Sequence, residues 1–349
     1  MTTSSTAAPD IGAICRAALG SRALAWDRIG KGRNSRVFRV DLDGVDRGLP
    51  SRVVVKFYRR DPGDSRDRLS TEFESLSFLK RHGIATVPTP IAIARDAECA
   101  IYQYIDGEVA MATPIREHDV DVSVAFLHFV KLLRGEPDAA AIAPASEACF
   151  TLEELASLVD GRLARLRLAP AAGDEAASLA AWIDRTLAPM VAEVQQWSRE
   201  AARRDGVRFD EPLPQRARTL SPSDFGFHNA IRRPDGTLVF VDFEYFGWDD
   251  PAKMIADYLL HPGMALDDAL KRRFAAGVLG AFDDVPSLRA RVRIVYPLFA
   301  VKWALILLND FLPERIVAST SGHLASQLAK AQAFIEDVAG RYARNPFLS

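Results

Sequence analysis

The chain has 349 residues, of which 48% are hydrophobic and 26% charged. That composition belongs to folded globular proteins and excludes an intrinsically disordered one. The 44 lysines and arginines against 46 acids leave a net charge of -2, so the basic excess of a nucleic-acid surface is missing and no nucleic-acid partner is expected. The length suggests two domains with enough core to need no disulfide or metal staple. Cys15, Cys99 and Cys149 are scattered, odd in number and lack any CxxC spacing. This excludes a cysteine-built zinc site and a disulfide scaffold, and points to a reducing cytoplasm.

Met1 to Asp10 is rich in Thr, Ser, Ala and Pro and reads as the frayed start of an N-terminal extension, residues 1–22. No Lys or Arg precedes Arg16 and no long apolar core is present there, so no signal peptide is expected. Residues 23–105 read as a β-rich lobe. Arg36 to Val40 and Val53 to Tyr58 are β-branched or aromatic runs bounded by turn residues, and Leu69 to Arg81 has helical spacing stopped by Gly83. Ala100 to Ile105 is a further short strand ending at Asp106-Gly107. Residues 106–349 read as a mainly helical lobe, with helices over Val120–Leu133, Leu152–Leu166 and Ala176–Arg204. The last of these suits a lid, a dimer surface or a solvated amphipathic helix equally well. One β-like island, Leu238 to Phe243, follows the turn Pro234-Asp235-Gly236, and helices resume at Pro251. The most apolar run, Ile294 to Leu308, carries Pro297 and Lys302 and is shorter than the ~20 residues a bilayer needs. It reads as a buried helix, and no membrane partner is expected. No internal repeat is present.

Four constellations could carry chemistry. Gly30 and Gly32, followed by Asn34 and Ser35 at the entry to a strand, make a loop whose backbone N–H groups can cradle phosphates. No Gly-Lys-Ser/Thr follows at Walker spacing, and taken alone the segment reads as a plain hairpin turn. Lys56 lies inside the apolar run Val53 to Tyr58, where it must reach solvent or meet a fixed anion. In the helix from Leu69 to Arg81, Glu72 falls within the stripe of Leu69, Leu76 and Leu79, whereas Glu74 points to the opposite side. An acid on a packing face needs a partner, and Lys56 is the candidate. The fourth is the most specific: Asp224, then Asn229 five residues on, then a turn and an apolar strand delivering Asp242 and Glu244. One carboxylate to hold and deprotonate a hydroxyl, with amide and carboxylate oxygens for Mg²⁺, is what phosphoryl transfer needs.

Taken in order, these pieces resemble the aminoglycoside phosphotransferase and choline kinase-like family, from about Ala23 to Leu260. The resemblance implies an α+β, protein-kinase-like two-lobe fold. It also implies an ATP- or GTP-dependent, Mg²⁺-requiring kinase acting on a hydroxyl of a small molecule. Gly32 to Val40 resembles the family's glycine-and-Asn loop, and Lys56 the phosphate-gripping lysine held by Glu72 of the Glu-x-x-x-Leu-x-x-Leu pattern. Asp224 and Asn229 resemble the catalytic-loop pair and Asp242-Phe243-Glu244 the metal-binding segment. Asp250-Pro251 with Asp257 is similar to the family's Asp-Pro…Asp stretch, whose second Asp commonly braces the catalytic loop. The nucleotide would lie between the lobes against Tyr102, Tyr104 and Ile105.

The family's usual His two residues before the catalytic Asp is Pro222 here. That departure raises a second reading, a nucleotide-binding regulatory pseudokinase. Protein kinase activity is a third, but no Ala-Pro-Glu segment follows Asp242. Glu244 could serve a second metal or the acceptor, and His228 could touch substrate, although exposure to water is the default for a loop histidine. Trp303 reads as core, and Asn309 and Asp310 as a helix end. Acidic positions at Glu244, Asp249 and Asp250 would suit a cationic or polyhydroxylated acceptor, although Asp250 reads first as structural, and a sugar or amino sugar is the expected class.

Overall fold

A computed structural model describes residues 10–30, 35–43, 48–60, 66–169, 173–264, 266–316, 320–339 and 345–348. The chain divides into two compact units. The first comprises Met1–Thr113 and Asn229–Phe246, and the second Pro114–His228 and Gly247–Ser349.

The first unit is built on a five-stranded antiparallel sheet. Its strands are β1 (Ala23–Arg28), β2 (Ser35–Leu42), β3 (Arg52–Tyr58), β4 (Pro90–Ala94) and β5 (Cys99–Gln103), in the order β1-β2-β3-β5-β4. Because side chains alternate across a strand, each strand serves two faces. Val40, Leu42, Val53, Val55, Phe57, Cys99 and Ile101 form one face, covered by Ile11 and Cys15 of helix α1 (Ile11–Leu19). This helix falls in the stretch read from sequence only as an extension. Asp10 starts it as an N-cap, accepting a hydrogen bond from the Ala13 amide at 2.8 Å. On β3 the alternate positions Lys56 and Tyr58 take the other face. Helix α2 (Arg68–Arg81) lies against β4 and β5 and buries Leu69, Glu72, Leu76 and Leu79.

A second, three-stranded sheet in this unit joins β6 (Glu108–Val109), β8 (Ala230–Arg232) and β9 (Leu238–Phe240). Gly107 leads into it with φ +150°, and a Cβ there would meet the Arg232 carbonyl oxygen at 2.3 Å. Only glycine allows that approach. The sequence reading runs this last strand to Phe243. The strand in fact ends at Phe240, because Asp242 sits at φ +71°, a left-handed backbone that extended pairing does not allow. Likewise β5 stops at Gln103, and Tyr104 and Ile105 lie beyond it.

The second unit is helical. It contains α3 (Glu117–Leu132), α4 (Leu152–Arg167), α5 (Asp174–Trp182) and α6 (Ala188–Arg204). The short strands β7 (Thr219–Ser221) and β10 (Gly247–Asp249) follow, with α7 (Pro251–Leu260), α8 (Asp268–Ala281) and α9 (Leu288–Leu307). The short α10 (Pro313–Ile316) and α11 (Ser321–Ala339) close the chain. The expected long helix is continuous, but a π-helical turn at Ile183–Leu187 interrupts its α-helical ladder between α5 and α6, with Pro189 near the start of the latter. Every residue of α7 is buried, and α9 packs against it as well as against α4, α6 and α11. The Ile294–Leu308 run is thus a core helix. No helix among the described residues is long and apolar enough to cross a membrane.

All three cysteines are free and buried. Burial pushes the thiols of Cys15, Cys99 and Cys149 up to about 11, about 12 and about 12. A thiol-reactive disulfide reagent at about pH 8 is therefore expected to label none of them in the native protein and all three after denaturation. Stoichiometric labelling of the native protein would contradict this packing.

Candidate active site

In the first unit, Lys56 is a buried amine among three carboxylates. Its Nζ lies 2.5 Å from Glu72 Oε2, 2.6 Å from Asp242 Oδ1 and 3.2 Å from Glu244 Oε2. Burial works against its charge, but Asp242, Glu72 and Glu244 outweigh that and raise its pKa well above the ordinary lysine value. Glu72 in turn accepts from Tyr58 Oη at 2.7 Å and, through Oε1, from the Phe243 amide at 3.3 Å. Burial and the neighbouring Glu72 push the Tyr58 phenol far up, so it remains a donor. Tyr102 Oη lies 2.7 Å from Tyr58 Oη, which puts Tyr102 behind the Lys56–Glu72 pair.

The three carboxylates differ in access. The side chain of Asp242 is 37% exposed, against 5% for Glu72 and 3% for Glu244. Glu244 is closed between Lys56 and Arg68, the latter at 3.7 Å. Glu72, Asp242 and Glu244 bring carboxylate oxygens within 4.8 Å of one another, but the lysine ammonium already fills that triangle. Of the three carboxylates, Asp242 is the one left open to a cation. The chain beyond β8 and β9 brings the Asn229 backbone to its neighbour, the Val241 amide donating to the Asn229 carbonyl at 2.9 Å. One amide and one carboxylate side chain offer hard oxygen donors of the kind Mg²⁺ takes when phosphate completes its shell.

Where β1 leaves the sheet, the amides of Ile29 and Gly30 donate to the Val37 carbonyl at 2.9 and 3.4 Å, and a Cβ on Gly30 would come 2.9 Å from Val37 Cβ. Ser35 opens β2 opposite Tyr58. Gly32 and Asn34 lie outside the described residues.

In the second unit, Asp224 follows Ser223, whose φ of +68° turns the chain out of β7. Aromatic packing anchors this loop. Phe225 stacks on Phe126 at 5.3 Å, and both Phe225 and Phe227 lie 6.1 Å from the Tyr258 ring. Nε2 of His228 lies 3.1 Å from Asp224 Oδ1, and Nε2 of His261 lies 3.2 Å from the same oxygen. Burial raises the Asp224 pKa, but the two imidazoles outweigh it and hold the carboxyl well below the usual range. His228 is thus turned onto the aspartate, with a side chain 16% exposed, instead of standing in water.

Asp249 does not face an acceptor, whereas Asp250 has the structural place expected of it. Asp249 is fully buried against Lys253 at 2.7 Å, while Asp250 caps α7 and meets Arg291 at 2.5 Å. With Glu244 equally enclosed, these three carboxylates are each paired with a cation and present no open acidic face of their own. The carboxylate of Asp257 accepts from Trp303 Nε1 at 3.0 Å and lies 3.5 Å from Lys253 and 3.7 Å from Lys302, so it reaches Asp224 only through intermediaries. Trp303 is a polar contact as well as packing. His261 was not found from sequence.

A strand-rich unit carrying the lysine–glutamate pair and a helical unit carrying the aspartate loop give the chain a protein-kinase-like α+β fold. The model of the Phosphotransferase enzyme family matches residues 25–294, and the chain belongs to that family. It is a phosphotransferase. Among solved structures it is similar to spectinomycin phosphotransferase APH(9)-Ia in complex with ADP and spectinomycin. That likeness has 8% identity, 97% of this chain and 98% of the other covered, and TM-score 0.66. It is also similar to a choline/ethanolamine kinase family protein from Mesorhizobium loti, at 17% identity, 93% of each chain and TM-score 0.56. The gentamicin complex of APH(2")-IIa matches at 18% identity, over 92% of this chain and 94% of the other, with TM-score 0.58. At these identities the likeness is one of fold. No curated protein matches the sequence with comparable significance.

Proposed function

We propose that the chain transfers the γ-phosphoryl group of ATP or GTP to a hydroxyl of a sugar or amino-sugar metabolite. The observation that carries this reading is Lys56, a buried amine fixed by Glu72 at 2.5 Å and Asp242 at 2.6 Å. An ammonium held so firmly suits the α and β phosphates, which need a positioned positive charge more than covalent chemistry. Tyr58, itself paired with Tyr102, holds Glu72 from behind, and Glu244 with Arg68 fixes the far side of the lysine. Asn229 and Asp242 would hold Mg²⁺, which when bound neutralises phosphate charge. Gly32, Asn34 and Ser35 would cradle phosphates through backbone donors, with Gly30 allowing the close approach of the chain to Val37, and Tyr104 and Ile105 would meet the nucleotide.

Asp224 orients the acceptor hydroxyl. As the hydroxyl oxygen bonds to the γ-phosphorus and the bond to the β–γ bridging oxygen breaks, the hydroxyl proton passes to Asp224. A carboxyl with so depressed a proton affinity takes that proton late, when phosphoryl transfer is nearly complete, so most of its contribution is orientation. The neighbouring complexes with ADP and spectinomycin, and with ATP and streptomycin, support a nucleotide donor and a polyhydroxylated acceptor.

A coupled assay of nucleoside diphosphate release across sugars, amino sugars, aminoglycosides, choline and ethanolamine tests the reading. Mg²⁺-dependent transfer to a sugar or amino sugar is expected. Binding of Mg-ATP with neither slow hydrolysis nor any phosphorylated acceptor would contradict it and favour the regulatory module instead.

A further inference from the structure

The loop that carries Asp224 begins with Pro222 and the left-handed Ser223. Pro222 has no side-chain donor with which to hold the aspartate. Two imidazoles converge on it, and their surroundings differ. The Gly263 amide donates to His261 Nδ1 at 3.0 Å. That nitrogen is therefore an acceptor, and the neutral ring's proton sits on Nε2, 3.2 Å from Asp224 Oδ1. The His261 ring stacks on His228 with centroids 3.8 Å apart and planes 8° from parallel, and meets Trp303 edge-on at 4.5 Å. Trp303 is itself fixed by Asp257, which lies between Lys253 and Lys302. His261 directly follows α7, the most completely buried helix of its unit.

We propose that His261 is a positioning residue for Asp224, donating from Nε2 to Oδ1 so that the carboxylate is held in one orientation for the acceptor hydroxyl, with His228 stacked beside it as the second donor. This rests on the kinase reading given above. Fixing a loop carboxylate in this way matters because misplacement by about 1 Å can cost ~10²-fold in rate. The cluster is otherwise open to a metal-site reading, since Asp224, His228 and His261 bring ligand atoms within 4.8 Å of one another. The Gly263 hydrogen bond argues against it, because it places the His261 proton on Nε2, the position a metal would need.

The test compares His261→Ala and His261→Gln with wild type, using Mg-ATP hydrolysis by water and transfer to any acceptor found. His261→Ala is expected to lower kcat about 10- to 100-fold with the KM for Mg-ATP within about twofold. His261→Gln, whose amide can donate at similar reach, is expected to return to within about fivefold of wild type. A wild-type kcat in His261→Ala, or no recovery in His261→Gln, would overturn the proposal. Nitrogen-15 spectra of the wild-type histidine rings supply a readout independent of turnover. The Nε2–H tautomer is expected at His261, with its proton signal displaced in Asp224→Ala, and an Nδ1–H tautomer would overturn the assignment. Wild type without turnover would instead defeat the kinase reading and the positioning role with it, whereas turnover indifferent to residue 261 defeats this inference alone.

Discussion

Replacing Asp224 with Asn is expected to lower kcat by about 10³-fold, within the range that removal of a general base produces, while Mg-ATP affinity changes by less than about twofold. The substitution keeps the shape of the side chain and an oxygen to receive the imidazoles of His228 and His261, so the loop should stay folded. What disappears is the charge that orients the acceptor hydroxyl and accepts its proton. Steady-state turnover together with nucleotide-induced thermal shift separates the two effects. A variant that turns over like wild type would remove Asp224 from the mechanism. One that loses nucleotide binding as well would show that the loop had collapsed.

The second large effect is expected at Lys56. Replacing it with Met removes the one ammonium contacted by Glu72, Asp242 and Glu244 and leaves Glu72 and Glu244 buried without it. Breaking a buried ion pair from one side typically costs about 3–5 kcal/mol, because the remaining charge is uncompensated. Urea denaturation should register a loss of that order, and Mg-ATP affinity should fall with it. The pH dependence carries a definite sign. Burial raises the Glu72 pKa, with Lys56 opposing. Without the lysine, the folded state binds more protons than the unfolded state above the ordinary carboxylate pKa, so stability rises as pH falls through that window. The deficit of Lys56→Met should therefore shrink between about pH 8 and about pH 5, and Lys56→Met/Glu72→Gln should recover part of it. A deficit that grows on acidification would contradict the description of the cluster.

The parts of this architecture that were legible in the sequence are those with local patterning. Helical periodicity put Glu72 on the packing face of α2, and the apolar run around Lys56 required an anion, so their contact followed from two short segments. The order Asp224, Asn229, Asp242 within a family pattern was legible for the same reason. Backbone turns were less so: the left-handed Asp242 ends β9 early, and nothing in an apolar run signals where it will turn. Helix α1 left only a faint signal, Asp10 ahead of Ile11, Ile14 and Cys15, inside an alanine-rich stretch. His261 left none, because its role comes from a distant loop meeting Asp224 and from a backbone amide that sets its tautomer. The burial of Asp249 and Glu244 was illegible too, since an acid's partner, Lys253 or Lys56, is known only once the chain has folded.

Calorimetric titration of ATP into wild type and Asp242→Asn, each with Mg²⁺ and with chelator, addresses the lysine–carboxylate cluster most directly. Wild type should bind ATP about tenfold more tightly with Mg²⁺ than without it, and Asp242→Asn should erase most of that difference. An affinity indifferent both to Mg²⁺ and to residue 242 would contradict the assignment of this cluster to a metal-bound nucleotide.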